Sequence, residues 1–407
     1  MTEAAQAAER AARLSYGRLV AILAARGGGI AAAEDALAEA LARALSVWPD
    51  RGVPASPEAW LVAVARRAAF DEGRRRGALA RAADHLALLE AERAAGRDWP
   101  DERLRLLFAC AGPEVEPALR APLMLQVVLG LDARRIASAF LVTPNTMGVS
   151  LSRAKARLRD AAPGFAPPAP DEAAERVGEV LRAIYAAYTL GLDGAHGLDE
   201  KTGGLAREAL WLGGLAAALA PEEPEALGLH ALMLFAESRS SARRDAAGRY
   251  VPLDRQDMAL WSAPMVADAE TALRRAAAFE RPGRFQLEAA IQSVHADRRR
   301  TGRTDWAAIL YLYDGLLALA PSLGAQTGRA VALGEAQGAM AGLAALDAAP
   351  EAARARYQPW RAARAHLLAR SGARGEAAAE FRRAAGLSED PAARAWLLER
   401  AAEAEAG

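Results

Sequence analysis

The chain is short of the residues that cross-link proteins and build sheets. It has one cysteine in 407 residues, 6% aromatics, and equal numbers of basic and acidic side chains, 51 of each. A single thiol excludes an intramolecular disulfide framework and a multi-cysteine zinc site, and it suits a reducing cytoplasm. Cys110, between Ala109 and Ala111, reads as a small core residue rather than a nucleophile. The balanced charge leaves no net field to draw the chain to a polyanion or a membrane, so any nucleic-acid affinity has to come from local patches. No segment approaches the ~20 uninterrupted apolar residues needed to cross a bilayer. The start "MTEAAQAAERAARL" carries acids early, with no apolar run ahead of a cleavage site. The expectation is a cytoplasmic protein with no membrane association. His85, His196, His230, His295 and His366 are scattered without metal-ligand spacing, so no metal or cofactor is expected.

Alanine, leucine, arginine and glutamate are abundant, β-branched residues are sparse, and no run alternates with period two for long. An all-α fold is expected, divided into two or three domains by length. The clearest break is "AAPGFAPPAPDEAAE", where four prolines interrupt helical sequence. This places a Pro-rich linker at 163–175, ahead of a helical C-terminal domain over 176–407. Before it lie helical clusters over 1–80 and 103–162, with 81–102 as a tether.

The second cluster contains "DARRIASAFLVTPNTMGVSLSRAKARLR". Asp132 can cap a helix with Ile136, Ala139 and Phe140 on its apolar side, after a break at Gly130. Thr143 as N-cap and Pro144 at the first position start a second helix. There Met147, Leu151, Ala154 and Leu158 form one apolar stripe. The remaining residues face outward: Asn145, Thr146, Gly148, Val149, Ser150 near the edge, Ser152, Arg153, Lys155, Arg157 and Arg159. With Arg134 and Arg135 this is the layout of a DNA-reading helix-turn-helix, short residues at the N-terminal end and basic ones behind. An ordinary αα-hairpin with a solvated basic face has the same pattern.

In the first cluster, "AEDALAEALARALSVW" is expected to bury Leu37, Leu41, Leu45 and Trp48 and to expose Asp35, Glu39 and Arg43. A following helix from "SPEAWLVAVA" ends in a basic run with Arg66, Arg67, Arg74, Arg75, Arg76 and Arg81. The loop "WPDRGVPASP" lies between Trp48 and Trp60.

This order resembles the extracytoplasmic-function (ECF) sigma factors of bacterial RNA polymerase. More narrowly it resembles those with a TPR-like C-terminal extension, the DUF6596-type group, through "LFACAGP", "IASAFLV", "AIYAAYTLGLDG" and "GRYVPLDRQDMALW". The resemblance implies a sigma-2 domain, with Asp35, Glu39 and Arg43 facing core RNA polymerase and Arg66, Arg67 and Arg74 to Arg76 on the −10 element. It also implies a sigma-4 domain over 103–162 that reads the −35 element of promoter DNA, and it places a captured −10 base in the Trp48–Trp60 loop. This chain departs from the group at Val149 and Ser150, where a polar residue and an arginine are usual. It departs again at Arg67, which aligns with an asparagine. Both changes bear on promoter sequence.

The last part, "WRAARAHLLARSGARGEAAAEFRRAAGL", orders Ala365, Leu368, Gly372, Ala377, Phe381 and Ala384 as a tetratricopeptide (TPR) helix pair does. Weaker echoes end at Pro221 and Pro321, so a TPR-like α-solenoid is expected, with an irregular bundle as the alternative. Such a domain would bind a regulatory protein or make an intramolecular contact. For residues 237–257 two arrangements are open: an exposed loop touching the sigma part or a partner, or a segment folded back to cap the solenoid. Enzyme look-alikes are two: "SRAK" (Ser152, Lys155) and "KTG" (Lys201 to Gly203) fit elements of penicillin-recognising enzymes, but the second would have to lie on a strand. "ARGGGIA" lacks the lysine of a P-loop. No catalytic role is expected. The rival to a sigma factor is a TPR-type scaffold with a degenerate helix-turn-helix.

Overall fold

The computed structural model describes residues 8, 15–24, 29–76, 101–140, 142–161, 170–195, 200–348 and 354–406. Among these the ordered elements are helices, with one isolated antiparallel bridge, Arg244 to Tyr250. The chain forms two compact units, residues 1–191 with 200–219, and residues 192–199 with 220–407. The linker expected at 163–175 therefore falls inside the first unit.

The first unit runs α1 (Tyr16–Ala24), α2 (Gly29–Arg51), α3 (Pro57–Arg76), α4 (Glu102–Cys110), α5 (Pro117–Val127), α6 (Ala133–Ala139), α7 (Pro144–Ala161), α8 (Pro170–Ala195) and α9 (Glu200–Leu219). Capping decides where several of these start. The Asp101 carboxylate accepts from the Arg103 amide at 2.7 Å, and the Asp132 carboxylate from the Arg135 amide at 2.9 Å. Gly130, at φ +66°, ends the α5 segment in the left-handed region that a side chain resists. Helix α2 buries Ala33, Ala40 and Ala44 together with Leu37 and Trp48, and it packs on α1, α3 and α7. Gly17 of α1 lies so close to the end of α5 that a Cβ there would sit 1.5 Å from the Val128 carbonyl oxygen. Only glycine permits that approach.

The second unit runs α10 (Pro224–Ser238), α11 (Ala263–Ala277), α12 (Arg284–Thr301), α13 (Trp306–Leu319), α14 (Leu323–Gln337), α15 (Ala339–Asp347), α16 (Gln358–Ser371), α17 (Arg374–Leu387) and α18 (Pro391–Ala406). Helices α11 and α12 both pack on α10, and from α13 onward each helix packs chiefly on its neighbours in sequence. The Glu225 carboxylate of α10 caps α12, accepting from the amides of Phe285 (3.0 Å) and Gln286 (3.1 Å). The α16–α17 hairpin turns at Gly372 (φ +86°) and buries Ala365, Leu368, Ala377, Phe381 and Ala384 as its spacing predicts.

Residues 239–262 form three short 3-10 turns, at 240–242, 253–255 and 258–260, and fold back on this unit. The Arg298 guanidinium donates to the carbonyls of Leu253 and Asp254, each at 3.0 Å. Arg244 donates to both Asp390 oxygens at 2.9 and 2.8 Å, and Tyr250 meets Trp396 edge-on at 5.6 Å between ring centroids. Of the two arrangements left open for residues 237–257, the segment folded back on the helical array is the one observed. Charge pairing and ring packing with residues 146 positions away, together with Arg298, hold the segment down.

Beneath it, His295 packs edge-on against Trp306 at 5.6 Å, and burial, with Arg239 and Arg298 nearby, pushes its pKa down to about 4. The imidazole is neutral when folded, whereas the unfolded chain protonates near pH 6.5. The unfolded state therefore binds the extra proton, and stability falls as pH drops from about 6.5 to about 4. Urea unfolding at pH 7.5 and pH 4.5 should differ by an His295-dependent amount on the order of 2 kcal/mol, and His295→Gln should remove it.

Candidate nucleic-acid interface

Helix α2 presents Asp35, Glu39 and Arg43 to solvent as expected. Leu45 does not join the buried stripe: it is 52% exposed and Leu41 is only half-buried. Leu37 and Trp48 are buried as expected, and the rest of the buried line is alanine, which lets neighbouring helices come close. That leaves an apolar side chain at the edge of the exposed face beside Ala38 and Ala42, across that face from Arg43. The helix also continues through Pro49 to Arg51, shortening the expected loop. Gly52 (φ +81°) then turns the chain, and Trp48 meets Trp60 edge-on at 5.4 Å across residues 52–56. The buried Trp48 Nε1 has no hydrogen-bond partner, and neither has the buried Nε of half-buried Arg66. Arg67 is exposed. Arg74, Arg75 and Arg76 lie in the last turns of α3, and their side chains fall outside the described residues, as do Arg81 and the tether over 81–100.

Helices α6 and α7 form the expected pair. The Thr143 hydroxyl oxygen accepts from the Thr146 amide at 3.2 Å and shares a 2.8 Å hydrogen bond with the Thr146 hydroxyl. Met147, Leu151 and Ala154 are buried and Leu158 is half-buried. Exposed are Arg134, Arg135, Asn145, Thr146, Val149, Ser152, Arg153 and Arg157, while Gly148 and Ser150 are half-buried. Asn145, Val149, Arg153 and Arg157 recur every four residues, so they make one continuous outward stripe. Val149, 45% exposed, is its apolar member. The Ser152 hydroxyl donates back to the Gly148 carbonyl at 2.9 Å and is spent within the helix.

Lys155 departs from the expectation that it faces outward. Its Nζ donates to Glu34 of α2 at 2.8 and 2.9 Å, and both side chains are largely out of solvent. Tyr16 of α1 donates to the same Glu34 oxygen at 3.1 Å, and burial plus the carboxylate raise the pKa of its hydroxyl. Cys110 lies within the field of this pair, and burial pushes its thiol up to about 12, which leaves it unreactive. The ion-pair partner of Lys155 lies 121 positions away, beyond the reach of any spacing rule.

The enzyme look-alikes do not assemble. Ser152 bonds to its own backbone, Lys155 belongs to Glu34, and residues 201–203 are helical rather than on a strand. Among the described residues no cluster of three or more His, Cys, Asp or Glu is arranged to hold a metal ion, and no helix is long and apolar enough to cross a membrane.

An all-α chain with an acidic helix face, a tryptophan-bounded loop and a helix pair bearing a basic stripe is the class these features define. Residues 13–78 match the family model described as Sigma-70 region 2, and residues 176–277 match a family of unknown function, DUF6596. An uncharacterized protein of Rhizobium meliloti (strain 1021) is 36% identical over 373 residues, covering 90% of this chain and 88% of the relative. No solved structure matches. The chain belongs to the sigma-70 family, with a DUF6596 domain in its C-terminal part. Such factors act in transcription initiation, bind core RNA polymerase and promoter DNA, and are not enzymes.

Buried and exposed positions of α7 should separate cleanly. Met147→Ala should cost about 2–5 kcal/mol in urea unfolding, and Val149→Ala should stay within about 0.5 kcal/mol of wild type.

Proposed function

We propose that this chain is an ECF-type sigma factor of the cytoplasm that binds core RNA polymerase through α2 and directs promoter-specific initiation. The observation that carries the reading is the pairing, in one compact unit, of the region 2 match with the outward stripe Asn145, Val149, Arg153 and Arg157. Asp35 and Glu39 offer carboxylates to a basic polymerase surface, with Arg43 as a cation on one edge of the exposed face and Leu45 as an apolar anchor on the other. Exposed Arg67 and the arginines at the end of α3 hold phosphates of opened DNA, and the Trp48–Trp60 loop takes an unstacked base.

In this reading α6 and α7 are a helix-turn-helix that reads the −35 element. Asn145 suits an adenine edge, Val149 a thymine methyl group, and Arg153 and Arg157 a phosphate each. With no arginine in the first two turns of α7, bidentate guanine reading is absent there. The preferred −35 element is accordingly rich in A·T pairs. The C-terminal helical array, with its TPR-like α16–α17 hairpin, serves as a module for a regulatory protein.

Two measurements test this. Glu39→Lys and Leu45→Asp should each weaken binding to core polymerase at least tenfold, while leaving thermal unfolding unchanged. Arg153→Ala should weaken promoter binding similarly across sequences and reduce the slope of log affinity against log salt by about 1. Unchanged core affinity in both α2 variants would remove the polymerase-binding role.

A further inference from the structure

Trp360, near the start of α16, sits among arginines. The guanidiniums of Arg354, Arg361 and Arg364 lie 5.2, 5.2 and 5.8 Å from its ring centroid. The indole is itself fixed: it is buried, and its Nε1 donates to the Leu346 carbonyl at 3.2 Å. Two carboxylates hold the guanidiniums in place. Glu380 of α17, buried, accepts from Arg361 at 3.2 and 3.1 Å and from Arg383 at 2.7 Å. Asp347, at the end of α15, accepts from Arg364 at 3.4 Å and lies 3.6 Å from Arg354.

Four cations thus meet two anions in one cluster. For stability alone that is a surplus, because one bidentate arginine satisfies Glu380 and each further like charge repels the rest. The surplus is also ordered in advance. Contact with Trp360 and pairing with buried Glu380 fix side chains that would otherwise lose rotamer freedom on binding a ligand. The hydrogen bonds to the carboxylates run through Nη1 of Arg361, Arg364 and Arg383, so each of these guanidiniums retains donors for a further acceptor. Asp347 and Arg383 are open to solvent, at 53% and 62% side-chain exposure, so the cluster is reachable from the margins that α15 and α17 supply.

We propose that the arginine cluster around Trp360 is a docking site for an acidic peptide segment, rich in aspartate and glutamate, of a partner protein. It supplies the partner chemistry for the C-terminal module proposed above and rests on that reading. Glu380 displays the acceptor these guanidiniums suit, a planar carboxylate met edge-on by N–H donors. The uncompensated charge calls for more than one acidic side chain. A phosphate backbone fits less well. The cluster is confined to one indole, with exposed Glu376 and Asp347 at its margins, whereas a nucleic acid needs basic groups strung along a track.

Binding is read by fluorescence anisotropy with the full-length protein at low salt, without polymerase or promoter. The probe is a labelled short peptide of alternating aspartate and glutamate, compared with a labelled oligothymidylate of equal length. Arg354→Gln and Arg383→Gln lie at the rim and should keep wild-type thermal unfolding. Each should weaken peptide binding about fivefold, the worth of one partly exposed ion pair, and the double variant should weaken it further. Arg374→Gln, at an exposed arginine more than a turn from Glu380, should keep wild-type affinity. Equal affinity in the wild type and both rim variants places the peptide elsewhere and overturns the site, while leaving the module reading intact. A wild type that binds no peptide overturns the site and removes the acidic class of partner from that reading. Tighter binding of the oligothymidylate, weakened by the same two substitutions, makes the cluster a phosphate surface and overturns the peptide assignment.

Discussion

The pairing of Lys155 with Glu34 orients the helix on which the functional reading depends. Residues two apart on a helix differ by about 200° in direction. Once Lys155 turns inward to a carboxylate 2.8 Å away, Arg153 and Arg157 are turned outward on the opposite side. The pair is shielded, and Tyr16 satisfies a further acceptor site on Glu34, so the lysine is neither an unpaired buried charge nor available to phosphate. The outward stripe is thereby narrowed to one amide, one apolar side chain and two arginines.

A second constraint comes from the C-terminal side. Arg103 at the start of α4 donates to Asp101 and Glu208 and lies 4.6 Å from the Trp211 ring centroid. Burial works against its charge, and the two carboxylates more than compensate, keeping it above its ordinary range. Arg120 of α5 lies 3.8 Å from Glu179 of α8. The first two helices of the C-terminal half therefore belong to the same body as the helix pair. The DUF6596 match, which starts at residue 176, begins inside that body and ends beyond it. Cutting the chain at the proline-rich segment would strip α8 and α9 from α4 and α5, so a truncation meant to isolate the sigma part should follow Leu219.

Features encoded within a few residues were legible in the sequence. The caps at Asp132 and Thr143, the break at Gly130 and the small-residue pattern of the α16–α17 hairpin all follow from local chemistry. Leu45 was misplaced because a leucine every fourth residue looks like a core stripe, whereas close helix packing on α2 selected Ala33, Ala40 and Ala44. The inward turn of Lys155 and the anchoring of residues 239–262 by Arg298, Asp390 and Trp396 depend on partners tens to more than a hundred positions away. Periodicity carries no trace of them. The division after residue 219 was hidden for the same reason, since prolines mark a break in helix and not a break in packing.

The central claim, that this chain directs initiation at chosen promoters, is tested most directly by mapping RNA 5′ ends. The assay combines purified core RNA polymerase, the full-length protein and a library of random sequence upstream of a reporter. The account predicts 5′ ends at positions set by two selected elements about 25 base pairs apart, the upstream one rich in A·T pairs and altered in Val149→Ala. Transcripts whose 5′ ends are the same with and without the protein would contradict it.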